Sequence, residues 1–471
     1  MILKYFIKDK SEISVLLIHI LLAVLSFFSI FFFIFWFYFV VATNITSIIN
    51  KGTRSKAILL FSGYFFGLEI IGRMLKASPF IPYQVGNYFM LVVFTYGILK
   101  TPSDRWGNIG KTILLLCIPG FYMIPYEGYF SFFINSFSGI VCLGLGAIYF
   151  GSQTYRSNDL RNFIKVTVLP VIVVAIYISV KSPSLNDVDF NLGANFDTSG
   201  GFGSNQISTV LGLGACLLIL AYLRKETIFS SYKVVSIVLI GVFVFRGLLT
   251  FSRGGIFGGI LAATLSYLYL SWKSKINMSK TIIQILLISM GCFIIFIVTD
   301  KITGGILSER YSGETAGTLS GNRTRNLNTI TSNRSKIALA EWAIFSDHIF
   351  LGVGPGGGYK AREKYVGIRT ASHTEFTRLL AEQGIPGLLI GLIFIFYPLL
   401  RIKNSNSVKE TYYLIAFFSL AVITSFHSAM RTMITPLFWA LSCARFSFPA
   451  SSKLVTNGFK RTKRFTSFTA H

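Results

Sequence analysis

Stretches of roughly 17–25 mostly apolar residues recur from Ile13 to Arg445, each long enough to cross the hydrocarbon core of a bilayer as one helix. No other feature restricts the fold so strongly. Only 13% of the 471 residues are charged, about half the share in a soluble globule. The chain reads as an all-α polytopic membrane protein with about 14 transmembrane helices, within a range of roughly 12–14. The spans fall at roughly 13–30, 31–49, 57–75, 84–100, 109–125, 130–150, 162–180, 205–223, 231–249, 252–271, 280–299, 376–399, 411–427 and 430–446. The first two form the least obvious pair, because no Gly or Pro marks a turn between Ile13 and Asn50.

Charge placement orients these spans. The net charge of +25 would suggest nucleic acid in a soluble protein. Here most of the basic residues fall in alternate connections. Seven groups of three (Lys4/Lys8/Lys10, Lys51/Arg54/Lys56, Lys100/Arg105/Lys111, Arg156/Arg161/Lys165, Arg224/Lys225/Lys233, Lys273/Lys275/Lys280 and Arg401/Lys403/Lys409) and five tail residues make 26 of the 44. The short connections on the other side hold almost none. This is the positive-inside pattern, with both termini cytoplasmic. The N-terminus lacks a small-residue cleavage site and is not read as a removable signal. The five cysteines all lie in apolar runs and read as packing residues.

This topology divides the chain into an N-terminal bundle (1–299), one large extracytoplasmic loop containing short helices (300–375), C-terminal helices (376–446) and a basic cytoplasmic tail (447–471). Within the loop, Gly304–Asn333 is rich in Gly, Ser, Thr and Asn. Ser335–Asp347 places Ile337, Leu339, Ala340, Ala343 and Ile344 at amphipathic spacing, predicting a helix on the membrane surface or against the bundle. Glycines at 352, 354, 356, 357 and 358 follow. They suit sharp turns, and their amides could hold an anion. No Gly-Lys-Ser/Thr follows, so a nucleotide-binding P-loop is excluded.

Ionisable side chains where the loop re-enters the bilayer are costly and mark a candidate site. Ser372-His373-Thr374-Glu375 reads as a helix start in which Ser372 caps and Glu375 reaches back. His373 is then the first helical residue, and a neutral imidazole able to take a proton is expected there. Glu375 is either a cap or a second catalytic residue, one that orients that histidine. Arg246, Arg253, Arg378, His427 and Arg431 lie toward the outer ends of their spans, as do Glu69 and Arg73, spaced for an ion pair. Together they outline a basic chamber suited to a phosphate or diphosphate, which the planar guanidinium pairs well. Each arginine could instead be snorkelling to the interface. Asp187-Val188-Asp189 is a short D-x-D that could bind a divalent metal, but it reads as ordinary loop. No metal site or cofactor is expected.

Three stretches resemble the O-antigen ligase/polymerase superfamily. They are Thr250-Phe251-Ser252-Arg253-Gly254-Gly255; Arg334 with Glu341-Trp342-Ala343 and Phe350-Leu351-Gly352-Val353-Gly354; and His373-Thr374-Glu375 with Leu379-Leu380-Ala381-Glu382-Gln383-Gly384-Ile385-Pro386-Gly387-Leu388. Phe202-Gly203-Ser204-Asn205-Gln206 is a weaker fourth. Thr374 stands where the family often has Asn or Ser, and Ile349 where Pro often precedes the Leu-Gly-Val-Gly run. The resemblance implies a metal-independent glycosyltransferase of the GT-C type. It would act on undecaprenyl-diphosphate-linked glycan at the outer face of the bacterial cytoplasmic membrane. It implies His373 as base and Arg253 and Arg334 as diphosphate ligands; Arg246, Arg378 and Arg431, from the basic chamber read above, are secondary candidates.

Partners would be the lipid-linked donor, a glycan or lipid A–core acceptor, membrane lipids and, in the assembly pathway, chain-length regulator and flippase proteins, with no nucleic acid. Nothing in the sequence marks a lipid A–core acceptor, which favours polymerase over ligase in O-antigen or exopolysaccharide biosynthesis. The rival reading is a polysaccharide or lipid-linked sugar transporter or flippase. Transporters usually bind at the midplane and often show internal repeats; here no repeat is visible and the charges lie near the outer ends. A catalytically dead assembly scaffold is a third reading.

Overall fold

In the computed structural model the described residues are 2–448, apart from 9–10, 51–53, 103–106, 124–129, 186, 189, 230–232, 276–277, 323, 368–369, 428–429 and 431. Their helices are α1 (Ile2–Phe6), α2 (Glu12–Phe28), α3 (Ile30–Ile49), α4 (Arg54–Met74), α5 (Val85–Leu99), α6 (Asn108–Tyr122), α7 (Phe130–Gly151), α8 (Ser157–Lys181), α9 (Ser204–Leu223), α10 (Lys233–Leu249), α11 (Arg253–Lys273), α12 (Met278–Ile302), α13 (Ile306–Ser312), α14 (Ala316–Leu319), α15 (Leu327–Ile330), α16 (Arg334–Asp347), α17 (Gly358–Val366), α18 (Glu375–Lys403), α19 (Val408–His427) and α20 (Ile434–Cys443). Two short strands, β1 (Thr154–Arg156) and β2 (Arg445–Ser447), pair in parallel with Tyr155 opposite Phe446.

Among the described residues eight helices are long and apolar enough to cross a membrane: α3, α4, α7, α8, α9, α11, α12 and α18. Five more (α2, α5, α6, α10 and α20) are apolar but shorter. The chain is therefore an all-α membrane protein. The first expected pair is resolved by one residue: Ser29 is extended (φ −153°, ψ 127°) and breaks the helix. Beyond it α3 folds back on α2, so that the rings of His19 and Trp36 lie 5.9 Å apart. The basic tail beyond Phe448 lies outside the described residues.

Burial sorts the helices. α4, α8 and α9 are buried along most of their length and form the centre, whereas little of α12 is buried. An apolar helix exposed on nearly all sides is one that faces lipid. The closest packing joins α9 to α11. A Cβ on Gly212 would sit 2.0 Å from the Gly255 carbonyl oxygen, and one on Gly259 would sit 2.2 Å from that of Gly212. Small residues four apart let two membrane helices touch backbone to backbone. This contact fixes the N-terminus of α11, where Arg253 stands.

Two buried carboxylates fasten the turn between α19 and α20. Glu69 of α4 pairs with Arg73 at 2.5 Å and accepts the Met433 amide at 3.1 Å. Glu375 of α18 accepts the Met430 amide at 3.0 Å. Arg73 also donates to the Tyr83 carbonyl (2.8 Å) and to Gln206 Oε1 (3.2 Å). The expected Glu69–Arg73 pair is thus present, and it serves to hold helices together.

Candidate active site

The site lies at the end of the bundle opposite the basic connections, where the chain enters α9, α11 and α18. Ser252 Oγ donates to Asn205 Oδ1 at 2.8 Å, and Ser208 Oγ donates to the Ser252 carbonyl at 2.9 Å. The Ser-Arg-Gly stretch and the weaker Ser-Asn-Gln stretch are therefore in direct contact. Phe251, stacked on Phe190 at 5.6 Å, takes a left-handed backbone (φ +57°) just before them. That conformation is unusual for a bulky residue and tends to mark functional sites.

A cavity of about 420 Å³ opens here, and three arginines line it: Arg253, Arg310 and Arg334. Arg253 and Arg310 both donate to Ser332 Oγ, at 3.1 and 3.3 Å. Arg334 donates to the Phe426 carbonyl at 3.3 Å. Ser332 and Asn333 are both left-handed (φ +54° and +63°), a strained turn that presents Ser332 and starts α16 at Arg334. Among the described residues lining the cavity there is no carboxylate. Burial, then the charge of Arg253, pull the Arg310 guanidinium below its usual range. Burial, then Arg253 and Arg310, do the same to Arg334. Three cations held together without a lining carboxylate are poised for a polyanion.

Residues 371–374 run between this cavity and a second of about 250 Å³. Ala371 and Ser372 line the second, Thr374 lines the first, and the half-buried His373 stands between them in the chain. The helix starts later than the Ser-x-x-Glu pattern suggests: α18 begins at Glu375 with Thr374 as N-cap, and no side chain caps it. Ser372 Oγ instead accepts the Thr374 amide (3.3 Å) and donates to its carbonyl (2.9 Å). His373 thus precedes the helix, and the capping box does not form because Glu375 turns inward. Glu375 is buried against Arg378, and Arg378 also reaches Glu382 at 2.8 Å and the Ser136 carbonyl at 3.1 Å. Arg378, 7% exposed, is neutralised by these carboxylates and stands apart from the arginine cluster.

The other expected residues divide similarly. Arg246 is half-buried on α10 and does not line the first cavity. Arg431, the side chain of His427 and Asp189 lie outside the described residues. α16 forms as expected, but its buried face is Ile337, Ala340, Glu341 and Ile344, while Leu339 and Trp342 are exposed. Glu341 belongs inside because it pairs with Arg362 at 2.7 Å and accepts from Thr377 at 2.5 Å. Burial pushes its carboxyl up, and Arg362 opposes that shift.

The glycine run forms turns. Gly352 (φ +68°) packs on the backbone of α18, where a Cβ would meet Glu382 C at 2.5 Å. Gly384 (φ +60°) kinks α18 and would place a Cβ 2.4 Å from the Ile349 carbonyl. Two motif stretches some thirty residues apart in the chain are one structural unit for this reason.

Sequence reasoning missed Arg310 and Ser332. Arg310 looks like any other charge in a polar loop, and only folding places it beside Arg253. The left-handed Ser332-Asn333 pair carries only a weak mark in the sequence: Asn tolerates that conformation, but Ser does not signal it.

The fold and cavity define a multi-pass helical membrane protein with an arginine-rich, anion-receptive chamber at one end. Residues 245–392 match a family model described as O-Antigen ligase. Over that segment the chain is similar to the O-antigen ligase family. The segment spans Arg246, Arg253, Arg310, Arg334, His373, Glu375 and Arg378. No curated protein matches the chain.

Proposed function

We propose that the protein is a metal-independent glycosyltransferase that acts on undecaprenyl-diphosphate-linked oligosaccharide at the outer face of the bacterial cytoplasmic membrane. It crosses that membrane about 14 times, and residues 300–375 lie outside the cell's cytoplasmic compartment. The observation that carries this reading is the cavity in which Arg253, Arg310 and Arg334 meet. An acceptor hydroxyl attacks the anomeric carbon of the donor sugar as the bond from that carbon to the diphosphate oxygen breaks. His373 takes the hydroxyl proton, and the undecaprenyl diphosphate leaves with its charge offset by the arginines. A positioned base typically contributes ~10²–10⁴-fold, and fixed cations at the departing charge often more. The donor carries its own activation, so the outer face needs no nucleotide. The favoured acceptor is a second lipid-linked repeat, which makes the enzyme a polymerase; lipid A–core would make it a ligase.

The test is the surface-glycan profile of cells lacking the gene and complemented in turn with wild-type, Arg253→Lys and Arg334→Gln chains. Wild type should restore polymer and the variants should fail at equal membrane abundance, since lysine keeps charge but loses the paired fork. Full restoration by both variants overturns the reading. Complete loss of polymer in the deletion marks a polymerase, and polymer stranded on the lipid carrier marks a ligase.

A further inference from the structure

The second cavity differs in chemistry from the first. Its walls include the rings of Tyr83, Phe132 and Tyr359 and the polar side chains of Gln84, Asn135 and Ser136. Phe132 and Tyr359 stack at 4.7 Å with an interplanar angle of 20°. Tyr83 is backed by the Arg73 guanidinium, 4.3 Å from its ring centre, and is otherwise half-exposed. Asn135 is exposed on the first turns of α7. Aromatic faces carry negative charge density and attract polarised C–H groups. Amides and hydroxyls offer both donors and acceptors. A wall that combines the two suits a polyhydroxylated ring.

Charge decides between a neutral sugar and an anion. Two arginines border this cavity, but both are already matched. Arg362 pairs with Glu341, and Arg378 pairs with Glu375 and Glu382. A phosphate entering here would face buried carboxylates and compete for cations that they hold, which is costly. A neutral ligand faces no such penalty.

The two cavities are also neighbours along one strand of chain. Ser372 borders the second and Thr374 the first. Two residues span no more than about 7 Å, and His373 is the residue between them. Resting on the transferase reading above, we propose that the cavity lined by Tyr83, Phe132, Asn135 and Tyr359 is a subsite for an uncharged sugar unit of the glycan, one strand-width from the diphosphate chamber. The glycan belongs either to the donor or to the acceptor.

The experiment uses the full chain in nanodiscs with two probes, inorganic pyrophosphate and the reducing oligosaccharide released by mild acid from the host's own surface polymer. Asn135→Ala and Tyr359→Ala should each weaken oligosaccharide binding about tenfold, the effect of losing one well-made contact. Both should leave pyrophosphate affinity unchanged, and Arg310→Gln should show the reverse pattern. Asn135→Ala keeps the test sound if Tyr359→Ala disturbs folding. Oligosaccharide affinity within about twofold of wild type in folded variants, or no oligosaccharide binding by the wild type, overturns the subsite. Wild-type protein that binds oligosaccharide but not pyrophosphate overturns the diphosphate chamber and leaves the subsite standing. Transfer kinetics then assign the source: a raised KM for acceptor alone places the acceptor glycan here, and a raised KM for donor alone places the donor glycan. An unchanged KM for both also overturns the proposal.

Discussion

Replacing Arg310 by Gln should separate stability from binding. Arg253 and Arg310 share Ser332 Oγ as acceptor, so their donating nitrogens lie no farther apart than the sum of the two distances, 6.4 Å. Taking the charge centres about 6–8 Å apart, their repulsion is about 2–3 kcal/mol at an effective dielectric of about 20, and below about 1 kcal/mol in water. Removing Arg310 relieves this repulsion and the cost of burying the guanidinium, and it forfeits one hydrogen bond worth about 1 kcal/mol. The empty protein should therefore unfold at the same or a slightly higher temperature. Pyrophosphate binding should fall about 10- to 150-fold, the loss expected for one charge-assisted hydrogen bond of about 1.5–3 kcal/mol. The assay is thermal unfolding in detergent at fixed scan rate, with and without pyrophosphate, which raises the apparent stability of any form that binds it. A clear drop in unfolding temperature, together with an unchanged pyrophosphate shift, would falsify the argument, because it would make Arg310 a structural cation like Arg378.

Arg378→Ala should behave oppositely. It leaves Glu375 and Glu382 buried without their cation, at a cost of about 3–5 kcal/mol, and should reduce folded yield and unfolding temperature; normal thermal stability would contradict the pairing described here. His373→Ala should insert and retain pyrophosphate binding while losing about 10²–10⁴-fold in transfer. Loss of pyrophosphate binding with unaltered chemistry would make His373 a diphosphate ligand and not the base. Single cysteines at Ser320 and Ser405 should label from outside and inside respectively in intact cells, and external labelling at Ser405 would reverse the topology.

Much of the bundle was legible because hydrocarbon thickness dictates the length of an apolar run. The break at Ser29 was inferred from charge orientation, though the serine itself gave no sign. The site was only partly legible. Arg253 and Arg334 stand in recognisable stretches and do line one cavity. Arg378 stands in an equally recognisable stretch, yet its neighbours Glu375 and Glu382 sit three and four residues away, a helical spacing that already pointed to internal pairing. Ser-x-x-Glu is a local pattern that reads as a helix cap, but the partners of Glu375 are Arg378 and the amide of Met430, 55 residues farther along. Arg310 and the second cavity depend on contacts between distant segments, such as Phe132 with Tyr359. No local pattern encodes these.

The fastening of the α19–α20 turn bears on how this protein could be re-engineered. The turn is held from one side by Glu69, far upstream of residues 245–392, and from the other by Glu375 within them. A chimera that exchanges only that segment would keep Glu375 in register yet meet a foreign turn and a foreign α4. Grafts intended to alter glycan choice should therefore carry residues 430–433 and the Glu69–Arg73 pair with them, so that the donor sequence brings its own hinge pins to the new scaffold.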